Sequence, residues 1–283
     1  MMDYHVHTRL CNHASGDMAQ YVACAAGQGL SEIGFLEHLT LHEQGRHLSM
    51  TAMDIPLYYY AARRLQAAVS GQIRVRVGLE VDFTPELAAQ AQEIAESFDF
   101  DMIGGSVHFI ENRNLVSSRA GQNLDKQPRD ALFDQYLDLL DQMADCPFID
   151  IVCHLDVIRK FGARPGENFY EKLDPILDKI AAKGKTVEVN TSGLHHPTAR
   201  IYPDKKILAK CREKNIAVCT GSDAHRPEQV GRDFDAAMAQ LTKAGYTHMA
   251  AFDRKTRREI PLARITEDIN TVSEIAKNPE EWT

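Results

Sequence analysis

Histidine and carboxylate side chains recur in closely spaced pairs along this chain. His5 and His7 are separated by one residue, and Asp223 and His225 repeat that spacing near the other end. Residues i and i+2 of a strand project to the same side, so each pair can direct two donor atoms at one ion. Imidazole and carboxylate donors without a run of thiolates suit zinc, iron or manganese, and the sequence does not choose among these metals. The pattern therefore predicts metal binding.

Further donors lie at the ends of other predicted strands: Glu37, His38, Glu80, Asp82, His108, His154, Asp156, Glu188 and Asn190. Glu80 stands in an apolar run over residues 78–82, where an unpaired carboxylate would be costly, so a cation is expected beside it. A lone histidine is more often a core residue than a ligand, but a set at successive strand ends is hard to attribute to chance. These residues offer more donor groups than the four ligands of a structural zinc site, which favours an open, multinuclear catalytic centre.

The elements that must position these residues alternate along the chain. Strands are predicted over residues 2–6, 32–37, 74–83, 102–108, 148–154, 186–191, 217–222 and 247–252. Helices are predicted over residues 18–28, 55–69, 85–97, 129–144, 170–182, 205–214, 226–244 and 265–276. This alternation predicts an α/β fold with a parallel sheet, closed into a barrel or left open. In a parallel barrel the carboxyl ends of the strands share one face, where active sites form, so the donors should converge there.

Composition narrows the class of protein. The chain has 283 residues, 32 basic and 40 acidic side chains, a net charge of −8 and 44% hydrophobic residues, which is ordinary for a globular protein. No apolar run approaches the ~20 residues of a membrane-spanning helix, and the first residues do not resemble a signal peptide. Six scattered cysteines without a C-x-x-C pair indicate reduced thiols and a cytoplasmic location. An acidic chain is a poor general binder of nucleic acid, so neither nucleic acid nor membrane is expected as a partner, and the oligomeric state stays open.

The motifs resemble, in order, those of the PHP (polymerase and histidinol phosphatase) superfamily. They are DYHVHT at residues 3–8 followed by His13, FLEH at 35–38, GLEVD at 78–82, SVH at 106–108, CHLD at 153–156 and GSDAH at 221–225. Together they span about residues 2–230. Within the superfamily the chain is most similar to the histidinol-phosphatase branch, through EVNTSGL at 188–194, YP at 202–203 and GSDAHRP at 221–227.

The resemblance implies a distorted (β/α)7 TIM-like barrel that forms a single domain over residues 1–283. A C-terminal strand and helix over residues 247–276 would complete it. It also implies three divalent metal ions, Zn, Fe or Mn. Carried over by position, the first ion takes His5, His7, Glu80 and Asp223, the second takes Glu80 as a bridge with His108 and His154, and the third takes His13, His38 and His225. Glu80, Asp223 and His225 are also the expected catalytic residues.

One residue departs from the family pattern. Cys153 stands where related sequences often have glycine before the histidine. Alternation along the strand predicts that its thiol points away from His154 and takes no part in the site.

The function implied is metal-dependent hydrolysis of the phosphomonoester L-histidinol phosphate, a small-molecule substrate, by a metal-activated hydroxide. A phosphatase or phosphodiesterase acting on nucleotides or another small phosphate ester is the alternative.

Six residues are candidates for binding that substrate. Arg159 could pair with two phosphoryl oxygens through its planar guanidinium, and Arg200 is a second candidate. Glu188 and Asn190 lie on a strand end that supplies no ligand, so they are free to bind the ammonium and imidazole. In the loop after His38, the further candidates are His42 and Glu43. Plainer alternatives are a solvated loop for Arg159 and His42, and an ion pair with a basic neighbour for Glu188.

Overall fold

A computed structural model describes residues 1–111, 113–117 and 129–263 of the chain. Its strands are β1 Met2–Val6, β2 Glu32–Leu39, β3 Arg74–Asp82, β4 Met102–Ser106, β5 Phe109–Ile110, β6 Arg113–Asn114, β7 Ile151–Val152, β8 Thr186–Asn190, β9 Ala217–Gly221, β10 His248–Asp253 and β11 Thr256–Pro261. Its α-helices are α1 Met18–Gly27, α2 Ile55–Ala68, α3 Ala88–Glu96, α4 Arg129–Asp145, α5 Phe169–Ala182, α6 Lys205–Glu213 and α7 Phe234–Lys243. Short 3-10 turns lie between several of them.

Seven parallel strands form the central sheet, in the order β1-β2-β3-β4-β7-β8-β9. The sheet curls until its two edges meet, where the end of β1 and the segment after β9 exchange hydrogen bonds. The His7 N–H donates to the Ala224 carbonyl at 2.9 Å, and the Ala224 N–H donates to the His5 carbonyl at 3.2 Å. The predicted α/β architecture is therefore confirmed as a nearly closed, parallel seven-stranded barrel.

The strands form here because they are buried on both faces, as expected when helices cover a parallel barrel. All five residues of β1 and all five of β8 are buried. Helix α2 is fastened to the outside by Tyr58, whose hydroxyl lies 2.7 Å from the Gly78 carbonyl and 3.0 Å from the Phe35 carbonyl. A side chain at Gly78 would place its Cβ 2.4 Å from the Met102 carbonyl, so the close approach of β3 and β4 requires glycine there.

The structure differs from the prediction at the C-terminal side. The helix expected over residues 226–244 is a 3-10 turn, Pro227–Gln229, followed by α7, because Gly231 and Asp233 between them have left-handed backbones with φ of 64° and 60°. The strand expected over residues 247–252 does not join the barrel, since β10 pairs with β11 in an antiparallel hairpin. The helix expected over residues 265–276 lies outside the described residues, and the extent of a single domain stays a prediction. Among the residues that are described, no helix has the length and apolar character needed to cross a membrane.

Candidate metal centre

The predicted ligands gather at one mouth of the barrel, at the carboxyl ends of its strands. They arrive from six of the seven strands or from the loops that follow them: His5, His7, His13, His38, Glu80, His108, His154, Asp223 and His225. The structure brings these side chains together as expected. Which of them bind which ion stays a prediction.

Glu80 stands at the centre of this group and is 1% exposed. Its Oε1 faces one set of rings, with His154 Nε2 at 2.9 Å and His108 Nε2 at 3.7 Å. Three further histidines surround its Oε2: His38 Nδ1 at 2.9 Å, His5 Nε2 at 3.3 Å and His7 Nε2 at 3.6 Å. Each oxygen thus faces a different set of imidazoles, which is the geometry a carboxylate needs to bridge two ions.

Asp223 completes the set around Oε2. Its Oδ1 lies 3.2 Å from His7 Nε2 and 3.9 Å from His5 Nε2. The residue has a left-handed backbone with φ of 56°, which turns the chain after β9 back over the mouth. His5, His7 and Asp223 bring ligand atoms within 4.8 Å of one another, as one ion requires.

The third expected set is less regular. His13 Nε2 lies 2.8 Å from His225 Nε2, and the His38 ring stacks 4.0 Å from that of His7. Donor atoms of His7, His38 and His225 come within 4.8 Å of one another, so His7 lies between the first and third predicted sites.

Charge at the mouth favours a bound cation. Burial opposes ionisation of Glu80, but the imidazoles of His5 and His38 outweigh it and hold its pKa well below the ordinary value. Burial also disfavours charge on His7, yet its contacts with Asp223 and Glu37 raise its pKa to about 9. The carboxylates therefore create a negative potential that draws positive charge to the ring nitrogens.

Several buried polar atoms in the described part of the chain have no hydrogen-bond partner, and five of them belong to predicted ligands: His5 Nε2, His7 Nδ1, His7 Nε2, Glu80 Oε2 and His154 Nδ1. Such atoms are costly to bury without a partner. Burial and the neighbouring His38 also lower the pKa of His13 to about 4, which leaves a neutral ring able to donate a lone pair. The residues present therefore fit divalent ions bound by histidine and carboxylate.

Arg159, which was predicted to bind the substrate's phosphate, lies outside the cavity over the metal ligands. It ends the 3-10 turn Val157–Arg159, is 6% exposed, and pairs through Nη1 with Asp156 Oδ2 at 3.1 Å and with Asp204 Oδ2. Tyr170 also donates its hydroxyl to Asp204 at 2.8 Å. Arg159 does not line the cavity over the ligands, because two buried carboxylates hold its guanidinium beneath the loop.

The residues predicted to recognise the rest of the substrate do not reach that cavity either. Glu188 is 1% exposed, with both oxygens occupied by His5 and by the backbone of His154. Asn190 is fully buried, and its Oδ1 accepts from the backbone N–H and hydroxyl of Ser192. Both face inward beneath the ligands, so the predicted role at the rim does not fit their position.

The remaining three candidates lie farther out. His42 stacks on Phe109, with 4.6 Å between ring centres, and it is Phe109 that lines the cavity. Glu43 is exposed on the same loop and does not line the cavity. Arg200 is exposed along a separate groove between α6 and α7.

Sequence reasoning missed Lys160, which follows Arg159 and lines the cavity together with His196 and Ser192. Its ammonium makes no hydrogen bond with any residue that the structure describes. Burial lowers the pKa of Lys160, and the charges of Asp223 and Glu80 oppose that effect. The available signal was its place next to Arg159, but the sequence could not say which of two adjacent basic residues turns toward the ligands.

Cys153 also departs from expectation. Its sulfur lies with His5 and Glu188 in a group whose ligand atoms are within 4.8 Å of one another. Strand alternation fails because His154 has a left-handed backbone with φ of 25°, so both residues face inward. Burial raises the pKa of the Cys153 thiol to about 12, which keeps it protonated and a poor ligand.

A model of the PHP domain family matches residues 3–192 of the chain. Curated relatives cover nearly its whole length. The probable histidinol-phosphatase of Deinococcus radiodurans is 29% identical over 246 residues, which are 87% of this chain and 94% of that protein. The histidinol-phosphatase of Lactococcus lactis is 27% identical, over 89% of this chain and 94% of that protein.

Solved structures show the same fold. The crystal structure of the L. lactis histidinol phosphate phosphatase, complexed with zinc, L-histidinol and phosphate, matches with a TM-score of 0.79 and 22% identity, over 91% of this chain and 98% of that one. A putative histidinol phosphatase from Listeria monocytogenes matches with a TM-score of 0.75 and 22% identity, over 83% and 99% of the two chains.

Proposed function

Because the chain belongs to the PHP domain family, we propose that it is a metal-dependent phosphomonoesterase that hydrolyses L-histidinol phosphate to L-histidinol and phosphate. The observation that carries the proposal is the position of Glu80, whose two oxygens face separate sets of imidazoles at the barrel mouth. The relatives that match nearly the full chain supply the substrate. We further propose three divalent ions, with the predicted ligand sets, and zinc as the first metal to test because the similar L. lactis structure contains it.

Metal ions in such a centre lower the pKa of water to produce a nucleophile and neutralise phosphoryl oxygens. The chain's own residues prepare the rest of the site. Glu80 and Asp223 remain ionised in the interior because neighbouring imidazoles hold their pKa values low. Lys160 lies on the cavity wall, and its ammonium has no hydrogen-bond partner among the described residues, so in this proposal it binds the phosphate in place of Arg159.

The state of the cysteines supports a cytoplasmic location. All six cysteines are free, which suits a reducing compartment.

The cavity wall supports a substrate that contains an imidazole. The cavity is also lined by Phe109, Leu48 and Val116, an apolar wall against which an imidazole ring can pack.

The substrate proposal is tested by kcat/KM of the zinc-loaded protein for histidinol phosphate, its analogue without the amine, p-nitrophenyl phosphate and a dinucleotide. Histidinol phosphate should exceed p-nitrophenyl phosphate by at least about tenfold, or 1.4 kcal/mol of transition-state binding. Equal values for all three monoesters would leave a phosphatase without this substrate. Faster cleavage of the dinucleotide would favour the phosphodiesterase alternative. His154→Ala, which removes a predicted ligand, should be inactive and serves as the blank.

Replacing Lys160 with glutamine should lower kcat/KM for histidinol phosphate by about 10- to 100-fold, because one hydrogen bond to a charged group is worth about 1.5–3 kcal/mol. The metal content should not change, since Lys160 is not a predicted ligand. Lys205→Gln is the matched control, because Lys205 is exposed on α6, away from the cavity. An unchanged kcat/KM in Lys160→Gln would remove this lysine from the site.

A further inference from the structure

One buried carboxylate connects two parts of the candidate metal centre from behind. Glu188, on β8, places Oε1 2.7 Å from His5 Nδ1 and Oε2 2.8 Å from the backbone nitrogen of His154. His5 belongs to the first predicted ion site and His154 to the second. Because each oxygen is engaged in one of these contacts, neither faces the cavity. The Glu188 side chain is 2% exposed.

The contact with His5 fixes which ring nitrogen can bind metal. Both oxygens of this carboxylate act as acceptors, so His5 Nδ1 carries the proton and donates it. In the neutral ring that binds a metal, the lone pair is then on Nε2, the atom that faces Glu80 at 3.3 Å and Asp223 at 3.9 Å. Glu188 therefore selects the tautomer of His5 in which the inward nitrogen is a donor to metal.

The contact with His154 fixes a strained backbone. His154 has φ of 25°, in a left-handed region that non-glycine residues rarely adopt. The backbone N–H is held by Glu188 Oε2 in this conformation, and the ring then lies with Nε2 2.9 Å from Glu80 Oε1 and 3.3 Å from His108 Nε2. Loss of this anchor would release the turn that aims His154 at the second site.

The neighbouring strand leaves room for this carboxylate. A Cβ at Gly221, on β9, would lie 1.9 Å from Glu188 Oε1 and 2.6 Å from His5 Cβ. Other predicted ligands are also held from behind: Glu37 Oε1 lies 3.5 Å from His7 Nδ1 and 3.0 Å from the backbone nitrogen of His38. His108 Nδ1 lies 2.9 Å from Asp82 Oδ1, and His13 Nδ1 lies 2.7 Å from the Cys11 carbonyl.

We propose that Glu188 is a positioning residue that couples the first two ion sites, by holding the ring of His5 with one oxygen and the backbone of His154 with the other. The identity of those sites as metal sites rests on the proposed function. Partners behind metal-binding histidines typically contribute 10- to 100-fold to metal affinity.

Glu188→Gln tests the proposal because an amide of the same size has one accepting oxygen. Either His5 Nδ1 or the His154 N–H must then face an NH2 group. If the amide donates to His5, the proton moves to Nε2 and blocks the metal-binding atom. The variant should bind the two ions about 10- to 100-fold more weakly in competition with a chromogenic chelator. Its kcat should fall at stoichiometric zinc and recover, at least in part, in excess zinc.

Thr186→Val is the matched control, because Thr186 is fully buried on the same strand and its hydroxyl has no hydrogen-bond partner in the described part of the chain. It should bind zinc and turn over like the wild type. If Glu188→Gln does not fold by circular dichroism, Glu188→Asp is measured instead. Its shorter carboxylate keeps the charge but cannot reach both donors, so weaker zinc binding is again expected.

Wild-type zinc affinity in either folded variant would overturn the proposal. Chelator competition needs no substrate, so the proposal for Glu188 is tested independently of the proposal that histidinol phosphate is the substrate. Failure of the substrate panel would leave the result for Glu188 standing, and normal affinity in the variant would leave the phosphatase proposal standing.

Discussion

Replacing Glu80 with glutamine is expected to lower kcat for histidinol phosphate by at least about a thousandfold, which corresponds to about 4 kcal/mol. The reason is the double contact of this side chain, which places one oxygen against His154 and His108 and the other against His38, His5 and His7. A glutamine amide has one accepting oxygen, so it can serve only one of the two sets. Loss of the bridging charge also weakens neutralisation of ions brought close together.

The measurement is kcat beside the number of zinc ions retained after gel filtration. Glu86→Gln makes the same chemical change at an exposed position just beyond β3 and should keep both values. If Glu80→Gln retained full zinc and more than about a tenth of wild-type kcat, the loss would be less than about 1.4 kcal/mol and the bridging role would be wrong.

Replacing Arg159 with methionine should instead lower the free energy of unfolding by about 3–5 kcal/mol, the usual cost of removing one partner from a buried ion pair. Arg159 is 6% exposed and is the cation between Asp156 and Asp204. Asp204 also starts α6, since its Oδ1 accepts the backbone N–H groups of Lys206 and Ile207 at 2.9 and 3.0 Å. The unbalanced charge would therefore act on the loop after β7 and on this helix.

Urea unfolding monitored by circular dichroism measures this change. Lys160→Gln, one residue along, should alter the free energy of unfolding by less than about 0.5 kcal/mol, because its ammonium makes no hydrogen bond within the part of the chain that the structure describes. The two substitutions should thus have different effects: the change at Arg159 should lower stability, and the change at Lys160 should lower kcat/KM. The opposite result would be an Arg159→Lys variant with wild-type stability and strongly reduced kcat/KM. It would indicate that Arg159 binds the phosphate and would contradict its position between the two buried carboxylates.

The barrel and its mouth could be predicted because both follow from short-range patterns. The first strand is found at the predicted residues 2–6, and β3 and β8 begin at the predicted residues 74 and 186. Strands buried on both faces have a distinct composition, and their carboxyl ends meet at one face whatever the loops do. The convergence of His5, Glu80 and Asp223 needed no further information.

Side-chain direction in turns could not be predicted in the same way. Arg159 and Lys160 are neighbours at the end of a 3-10 turn, and a rotation of this turn decides which of them faces the cavity. Cys153 faces inward because the unusual backbone of His154 interrupts strand alternation. Glu188 had the right type and position for a rim residue, but its depth depends on Gly221 of the adjacent strand, a contact that the order of residues does not reveal.

Closure of the barrel by the segments that follow β1 and β9 has a consequence for synthesis on the ribosome. His13 and His225, whose Nε2 atoms lie 2.8 Å apart, are separated by 212 positions in the chain. A nascent polypeptide that has not reached Asp223 carries seven of the nine predicted ligands but cannot form the first or the third complete set. Hydrolytic capacity should therefore arise only after translation has passed residue 225, so that prematurely terminated products remain inert toward phosphate esters in the cell.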